Sequence, residues 1–119
     1  MIDLVKLRHA FKCAFAGIGH ALATQQNFKI YFLASAVAIV AGFYLRVSLL
    51  EWVALTFSIV LVFITEMINT AFEEMVNLMK CEYDQHCRIA KDVAAGMVLL
   101  AAFLSIIVGV LIFLPRLFR

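Results

Sequence analysis

The chain has 119 residues, of which 66% are hydrophobic, and its formal net charge is +2. An apolar fraction this high excludes an ordinary soluble domain, and the length leaves room for only one domain. The weak positive charge, without a basic run or an aromatic-interleaved patch, excludes a nucleic-acid-binding protein. We therefore expect residues 1–119 to form a single all-α domain that spans a membrane several times.

Residues 1–25 are predicted to form an amphipathic helix that lies at the membrane surface. Apolar residues recur there at spacings of three and four, whereas Lys6, His9 and Lys12 take polar positions. A basic helix with aromatic side chains suits the headgroup region. The pattern alone fits a cap over a functional site and a simple anchor equally well. The segment from Cys13 to Gly19 is too short and glycine-rich for a signal peptide, so we expect the helix to be retained.

Three transmembrane helices follow the surface helix. The first carries Tyr31 and Tyr44 near its ends, where aromatic residues mark the membrane interface. The second must continue past Glu66, because the apolar residues before it are too few to cross about 30 Å of hydrocarbon. The three spans are predicted over residues 28–50, 52–78 and 91–115, with a polar loop over residues 79–90.

The three cysteines do not form an even set for a disulfide framework. Cys13 falls near the first predicted helix, whereas Cys81 and Cys87 fall in the polar loop, so we expect no disulfide scaffold. Cys81, His86 and Cys87 also match no standard zinc spacing and lack a fourth ligand, so we expect no metal there.

Basic residues predict how the chain is oriented in the membrane. The ten lysines and arginines divide seven to three in favour of the side that holds the N-terminus and the 79–90 loop. By the positive-inside rule, this side faces the cytoplasm. Polar groups at the end of the second span would then lie where cytosolic ATP can reach them.

Carboxylates and amides are concentrated at the end of the second span. At about 100° per residue, one helix face carries Glu66, Asn69, Glu73 and Asn77. Such a face could hold a metal or a phosphate beside a proton acceptor, and a polar seam between helices would use the same residue types. A seam stabilises by only about 0.6 kcal/mol per hydrogen bond, which does not explain two carboxylates at the membrane boundary. We therefore favour a functional site.

Two motifs make this interpretation specific, and they read Glu66-x-x-Asn69-Thr70-Ala71-x-Glu73 and Ala90-Lys91-Asp92-Val93-Ala94-Ala95-Gly96. Their combination resembles the signature of the prokaryotic diacylglycerol kinase and undecaprenol kinase family, over nearly the whole chain. The resemblance implies a homotrimer in the bacterial inner membrane, with three spans and an interfacial helix per subunit. It also implies transfer of the ATP γ-phosphate to a lipid hydroxyl with Mg²⁺, at sites shared between subunits and without a Walker loop.

The resemblance also implies a role for each matching residue. Glu66 is the general base for the lipid hydroxyl, and apolar surroundings would make its carboxylate a better proton acceptor. Glu73 binds metal and ATP, and Asn69 binds a phosphate or orients Glu66. Lys6 and Arg8 align loosely as lipid or phosphate contacts. Further ATP contacts are implied at Glu82, Tyr83, Lys91 and Asp92, although spacing alone fits the last two equally well as a membrane anchor and helix start.

Two departures from the family pattern remove negative charge from the predicted site. Gln25 stands where the family usually has its other metal-binding glutamate, and Asn77 stands where the motif usually ends in aspartate. Metal binding should then be weaker unless Glu74, Glu82 or Asp84 compensates. A catalytically impaired membrane subunit is the alternative of another class.

The residues of the first motif also indicate which lipid is the acceptor. The Asn-Thr-Ala sequence at Asn69 favours undecaprenol. Diacylglycerol kinases, which make phosphatidic acid, more often carry Asn-Ser-Ala there, so diacylglycerol is the second choice of acceptor.

Overall fold

The computed structural model describes residues 1–81 and 83–118. All regular elements in these ranges are α-helices, namely α1 (Leu4–Thr24), α2 (Gln26–Tyr44), α3 (Leu49–Met79) and α4 (Gln85–Leu117). The last three are long and apolar enough to cross a bilayer. The prediction of an all-α membrane protein with an N-terminal helix and three spans is confirmed.

Helices α3 and α4 form the most extensive contact between helices. Ala94 and Ala101 are buried on α4, and small side chains of this kind let two helix backbones approach closely. The hydroxyl of Ser105 donates to the carbonyl oxygen of Ser58 at 3.1 Å across the pair. The buried residues of α3 recur at helical spacing and are Leu55, Ser58, Val62, Thr65, Glu66, Asn69, Thr70 and Val76.

The connection between α3 and α4 is shorter than the loop predicted over residues 79–90. Asp84 caps α4, because its Oδ1 accepts hydrogen bonds from the N–H groups of His86 and Cys87 at 2.8 and 3.2 Å. Helix α4 therefore begins at Gln85, within the predicted loop. Because this segment is polar, its composition does not indicate that it forms the first turns of α4. These turns extend the helix beyond its apolar part.

Cys81 and Cys87 form a disulfide, with their Cα atoms 6.2 Å apart. The sequence, which argued against a disulfide scaffold, did not predict this pair. The early start of α4 brings Cys87 into its first turn, close to Cys81 just beyond the end of α3. Cys13 is free and exposed.

At the opposite end of the α3–α4 pair, a capping box begins α3. The Ser48 hydroxyl accepts a hydrogen bond from the N–H of Glu51, whose carboxylate accepts one from the N–H of Ser48. The same carboxylate forms an ion pair with Arg116 near the end of α4. Val47 and Ile112 are buried beside this link. The start of α3 is thereby fixed to the end of α4.

Helix α2 is held mainly at its two ends, where Phe28 and Gly42 are its buried residues. A Cβ atom at Gly42 would lie 2.6 Å from the Trp52 ring. We expect Gly42→Ala to lower the free energy of unfolding by about 1–3 kcal/mol, the usual cost of overpacking. Thermal unfolding in detergent micelles would measure it. Gly17→Ala is the matched control, since a Cβ there meets no atom within 4 Å. Equal stability of the two variants would contradict the predicted clash.

Candidate active site

Glu66 is the most deeply buried charged residue of α3, with 1% of its surface exposed. Among the described residues, its Oε2 atom has no hydrogen-bond partner. The hydroxyl of Thr70 donates to the Glu66 backbone carbonyl oxygen at 2.9 Å, and not to the Glu66 carboxylate. An unpartnered buried carboxylate oxygen is costly, so its presence requires an explanation. This oxygen is available to accept a hydrogen bond from a bound molecule.

Glu73 lies two turns further along α3 and is held by two amides. Asn69 donates from Nδ2 to Glu73 Oε1, and Gln25 donates from Nε2 to Glu73 Oε2, both at 3.3 Å. Gln25 occupies the extended residue between α1 and α2, so the junction of these helices packs against α3. The fold thus brings Gln25 to Glu73, and their role at a metal stays a prediction. We refer to Gln25, Glu66, Asn69 and Glu73 as the carboxylate cluster.

Tyr31 is a member of this region that the sequence did not reveal as a site residue. It was predicted as an interfacial aromatic residue, but it is half-buried on α2 and close enough to Glu66 for the two groups to interact electrostatically. Glu73 interacts with Glu66 in the same way. No periodicity in α2 shows which of its faces meets α3, so only the packed structure brings the phenol to the carboxylate.

An apolar cavity of about 350 Å³ lies between α2, α3 and α4. Tyr31 and Val62 are among the residues that line it, and Val62 lies one turn before Glu66 on α3. Its hydroxyl-bearing lining residues are Tyr31, Ser35, Ser58 and Ser105. The cavity therefore offers a mostly hydrocarbon-lined space that approaches the buried carboxylate.

A second group of predicted residues surrounds a separate cavity of about 280 Å³ where α3 meets α4. We call it the turn pocket, and its polar and sulfur-bearing lining residues are Asn77, Cys81, Cys87, Arg88, Lys91 and Asp92. Asn77 lies one turn beyond Glu73, so the pocket adjoins the carboxylate cluster along α3. In the described part of the chain, no hydrogen bond or ion pair joins Lys91 or Asp92 to Glu66 or Glu73. The sequence thus predicted one site, whereas the fold forms two neighbouring groups.

The remaining predicted residues lie apart from both groups. Lys6 and Arg8 are exposed near the start of α1, and Lys6 is separated from Gln25 by about 28 Å of helix. Tyr83 is fully exposed, and Glu82 lies outside the described residues. The roles of these four residues stay predictions.

Two acidic residues that were expected to compensate for Gln25 have other partners. Asp84 caps α4, as described above. Glu74 lies 3.6 Å from the His20 ring nitrogen, and both side chains are more than half exposed. Glu73 is therefore the single carboxylate that the described residues place beside Gln25.

Comparisons with known proteins agree with the two motifs. A family profile described as prokaryotic diacylglycerol kinase matches residues 12–113. A diacylglycerol kinase of Synechocystis sp. is 40% identical over 109 residues, which are 91% of this chain and 62% of that protein. An undecaprenol kinase of Bacillus subtilis is 35% identical over 115 residues, which are 97% of this chain and 94% of that protein. The chain thus spans less than two thirds of the first relative and nearly all of the second.

Proposed function

The chain belongs to the prokaryotic diacylglycerol kinase family, and on this basis we propose that it transfers the γ-phosphate of ATP to a membrane lipid hydroxyl. The observation that carries the proposal is the unpartnered Oε2 of Glu66, buried near an apolar cavity and on the same helix as a cation-lined pocket. A polar seam between helices would have paired this oxygen. A general base must instead keep it free for the substrate.

Glu66 acts as the general base in this mechanism. The lipid chain occupies the apolar cavity, and its hydroxyl donates a hydrogen bond to Glu66 Oε2. As the lipid oxygen attacks the γ-phosphorus, its proton passes to Glu66, the bond from the γ-phosphorus to the bridging oxygen breaks, and ADP leaves. Phosphoryl transfer depends mainly on positioning and on neutralisation of charge. Tyr31 on α2 lines the cavity that the lipid chain occupies.

The turn pocket binds the nucleotide. Lys91 and Arg88 supply positive charge for the phosphate oxygens, and Asn77 and Asp92 supply hydrogen-bonding groups. Because Asn77 adjoins Glu73 on α3, a triphosphate in this pocket extends toward the carboxylate cluster. The positive-inside orientation places the pocket on the cytoplasmic side of the bacterial inner membrane, where ATP is present.

Mg²⁺ that accompanies ATP would be held by Glu73 and the amide oxygens of Asn69 and Gln25. Magnesium in such sites commonly uses one or two carboxylates together with phosphate oxygens, so this donor set fits the ion. In the structure both amides direct their NH₂ groups at Glu73, and rotation of each amide would present its oxygen instead. When bound, the ion would neutralise phosphate charge.

We also propose that the protein is a homotrimer. Helix α2 is exposed along most of its length, and Lys6 and Arg8 lie far from the cluster of their own subunit. A neighbouring subunit packed against this exposed surface would cover apolar side chains and could bring its own Lys6 or Arg8 closer to the site.

Undecaprenol is the acceptor that we propose. The Asn69-Thr70-Ala71 wording supports it, and the relative named undecaprenol kinase aligns over 94% of its length. Diacylglycerol is the second candidate, because the Synechocystis relative named diacylglycerol kinase has the higher identity, 40%.

A transfer assay tests the function and separates the two acceptors. The purified full chain in mixed micelles receives γ-labelled ATP and Mg²⁺ with undecaprenol, with 1,2-diacylglycerol, or with no added lipid. We expect labelled lipid with undecaprenol, at a higher kcat/KM than with diacylglycerol. A preference for diacylglycerol would reverse the acceptor assignment. Absence of transfer to either lipid at saturating Mg²⁺ would support the impaired membrane subunit instead.

A further inference from the structure

The Cys81–Cys87 disulfide forms part of the wall of the turn pocket. Arg88 and Lys91, the two cationic residues of the turn pocket, form another part of its wall. Arg88 follows Cys87 directly, and Lys91 lies one turn later on α4. The position of both cations relative to α3 therefore depends on how Cys87 is held.

The disulfide holds the first turn of α4 against the end of α3. Cys81 follows Lys80, which ends α3 in a left-handed backbone conformation with φ 53°. Apart from the disulfide, the connection is closed by the hydrogen bond from the Asp84 N–H to the Cys81 carbonyl oxygen, at 3.0 Å, by the one from the Arg88 N–H to the Asp84 carbonyl oxygen, at 3.2 Å, and by the Asp84 cap. All of these contacts lie within residues 81–88 themselves. Cleavage of the disulfide would remove a covalent link across the pocket.

The chemistry of this disulfide suits reversible reduction. In the orientation proposed above, it faces the cytosol, where disulfides are usually transient and redox-sensing. Both cysteines are partly exposed, so a thiol reagent can reach them. Cys87 lies in the first turn of α4, a position that favours its thiolate as a leaving group.

We propose that the Cys81–Cys87 disulfide is a redox switch that controls the affinity of the turn pocket for nucleoside triphosphate. The proposal rests on the function assigned to the pocket above. A thiolate of a cytosolic thiol attacks one sulfur, the Cys81–Cys87 bond breaks, and a mixed disulfide forms. A second thiol then releases the reductant as its own disulfide, and the protein retains two protonated thiols. The oxidised form pre-organises Arg88 and Lys91, whereas reduction loosens the first turn of α4.

Nucleotide binding in two redox states tests the switch. The full chain in detergent micelles, without lipid acceptor, is titrated with a fluorescent ATP analogue and Mg²⁺ in either oxidised or reduced glutathione. Thiol alkylation followed by mass measurement reports the state of the cysteines. We expect reduction to raise the dissociation constant about fivefold through loss of pre-organisation. Reoxidation should restore the original value.

Cysteine variants show whether this response comes from the pair. The double variant Cys81→Ser/Cys87→Ser should bind like the reduced protein in both buffers, whereas Cys13→Ser should respond like the wild type. Equal affinity in the two redox states, or a response that persists in the double variant, would overturn the switch. Failure of the pair to oxidise in oxidised glutathione would overturn it too. Transfer to lipid that proceeds equally in both states, at an ATP concentration well below KM, would refute the switch while supporting the kinase. Redox-dependent nucleotide binding without any transfer would do the reverse.

Discussion

Glu66→Gln should lower kcat by about 10²–10⁴-fold, the range expected when a general base is removed. Glutamine has nearly the shape of glutamate but cannot accept the hydroxyl proton. Because the substitution also removes a buried charge, it should leave the fold intact and not lower the free energy of unfolding. Turnover in mixed micelles and thermal unfolding of the same preparation would measure both quantities.

Glu74→Gln is the matched control for this loss. It makes the same chemical change on the same helix, but Glu74 is more than half exposed and its contact is with His20. Its kcat should stay close to that of the wild type. Retained turnover in Glu66→Gln, or an equal loss in both variants, would remove the assignment of Glu66 as the base.

Glu73→Gln should raise the Mg²⁺ concentration for half-maximal activity about tenfold or more, because magnesium sites depend on carboxylate charge. Among the described residues, Glu73 is the only carboxylate hydrogen-bonded to Gln25, and no group of three histidine, cysteine or acidic residues that could hold a metal lies among them. Loss of Glu73 would therefore leave only amide oxygens. Initial rates measured over a magnesium series at fixed ATP would give the requirement.

Gln25→Glu tests the same position in the opposite direction. It would set a second carboxylate in place of the amide that now donates to Glu73 at 3.3 Å. The like charges repel until a cation binds between them, so the half-maximal Mg²⁺ concentration should fall. An unchanged or higher requirement would show that Gln25 does not contact the metal.

The sequence predicted the part of the site that one helix builds alone. Glu66, Asn69 and Glu73 share a face of α3 because of the helical period, and the structure keeps them together. The proximity of Gln25 to Glu73 does not follow from the period of one helix. The two residues are 48 positions apart in the chain, and only the family resemblance could anticipate their contact.

Features that depend on how helices face one another could not be predicted. Tyr31 comes near Glu66 through the packing of α2 on α3, which no local pattern encodes. Cys81 and Cys87 pair because α4 begins earlier than its apolar run, at a cap formed by Asp84. Lys91 lies in the turn pocket, and among the described residues it forms no hydrogen bond or ion pair with Glu66 or Glu73.

The ion pair between Glu51 and Arg116 bears on which helix of the bundle would have to move to admit a lipid tail. It clamps α3 to α4 about 22 Å along the helix from Glu66, while the short connection after α3 closes the other end of that hairpin. The hairpin should then behave as one stiff unit. In the function proposed above, a hydrocarbon chain that enters sideways from the bilayer would therefore have to pass α2, which is buried only at Phe28 and Gly42.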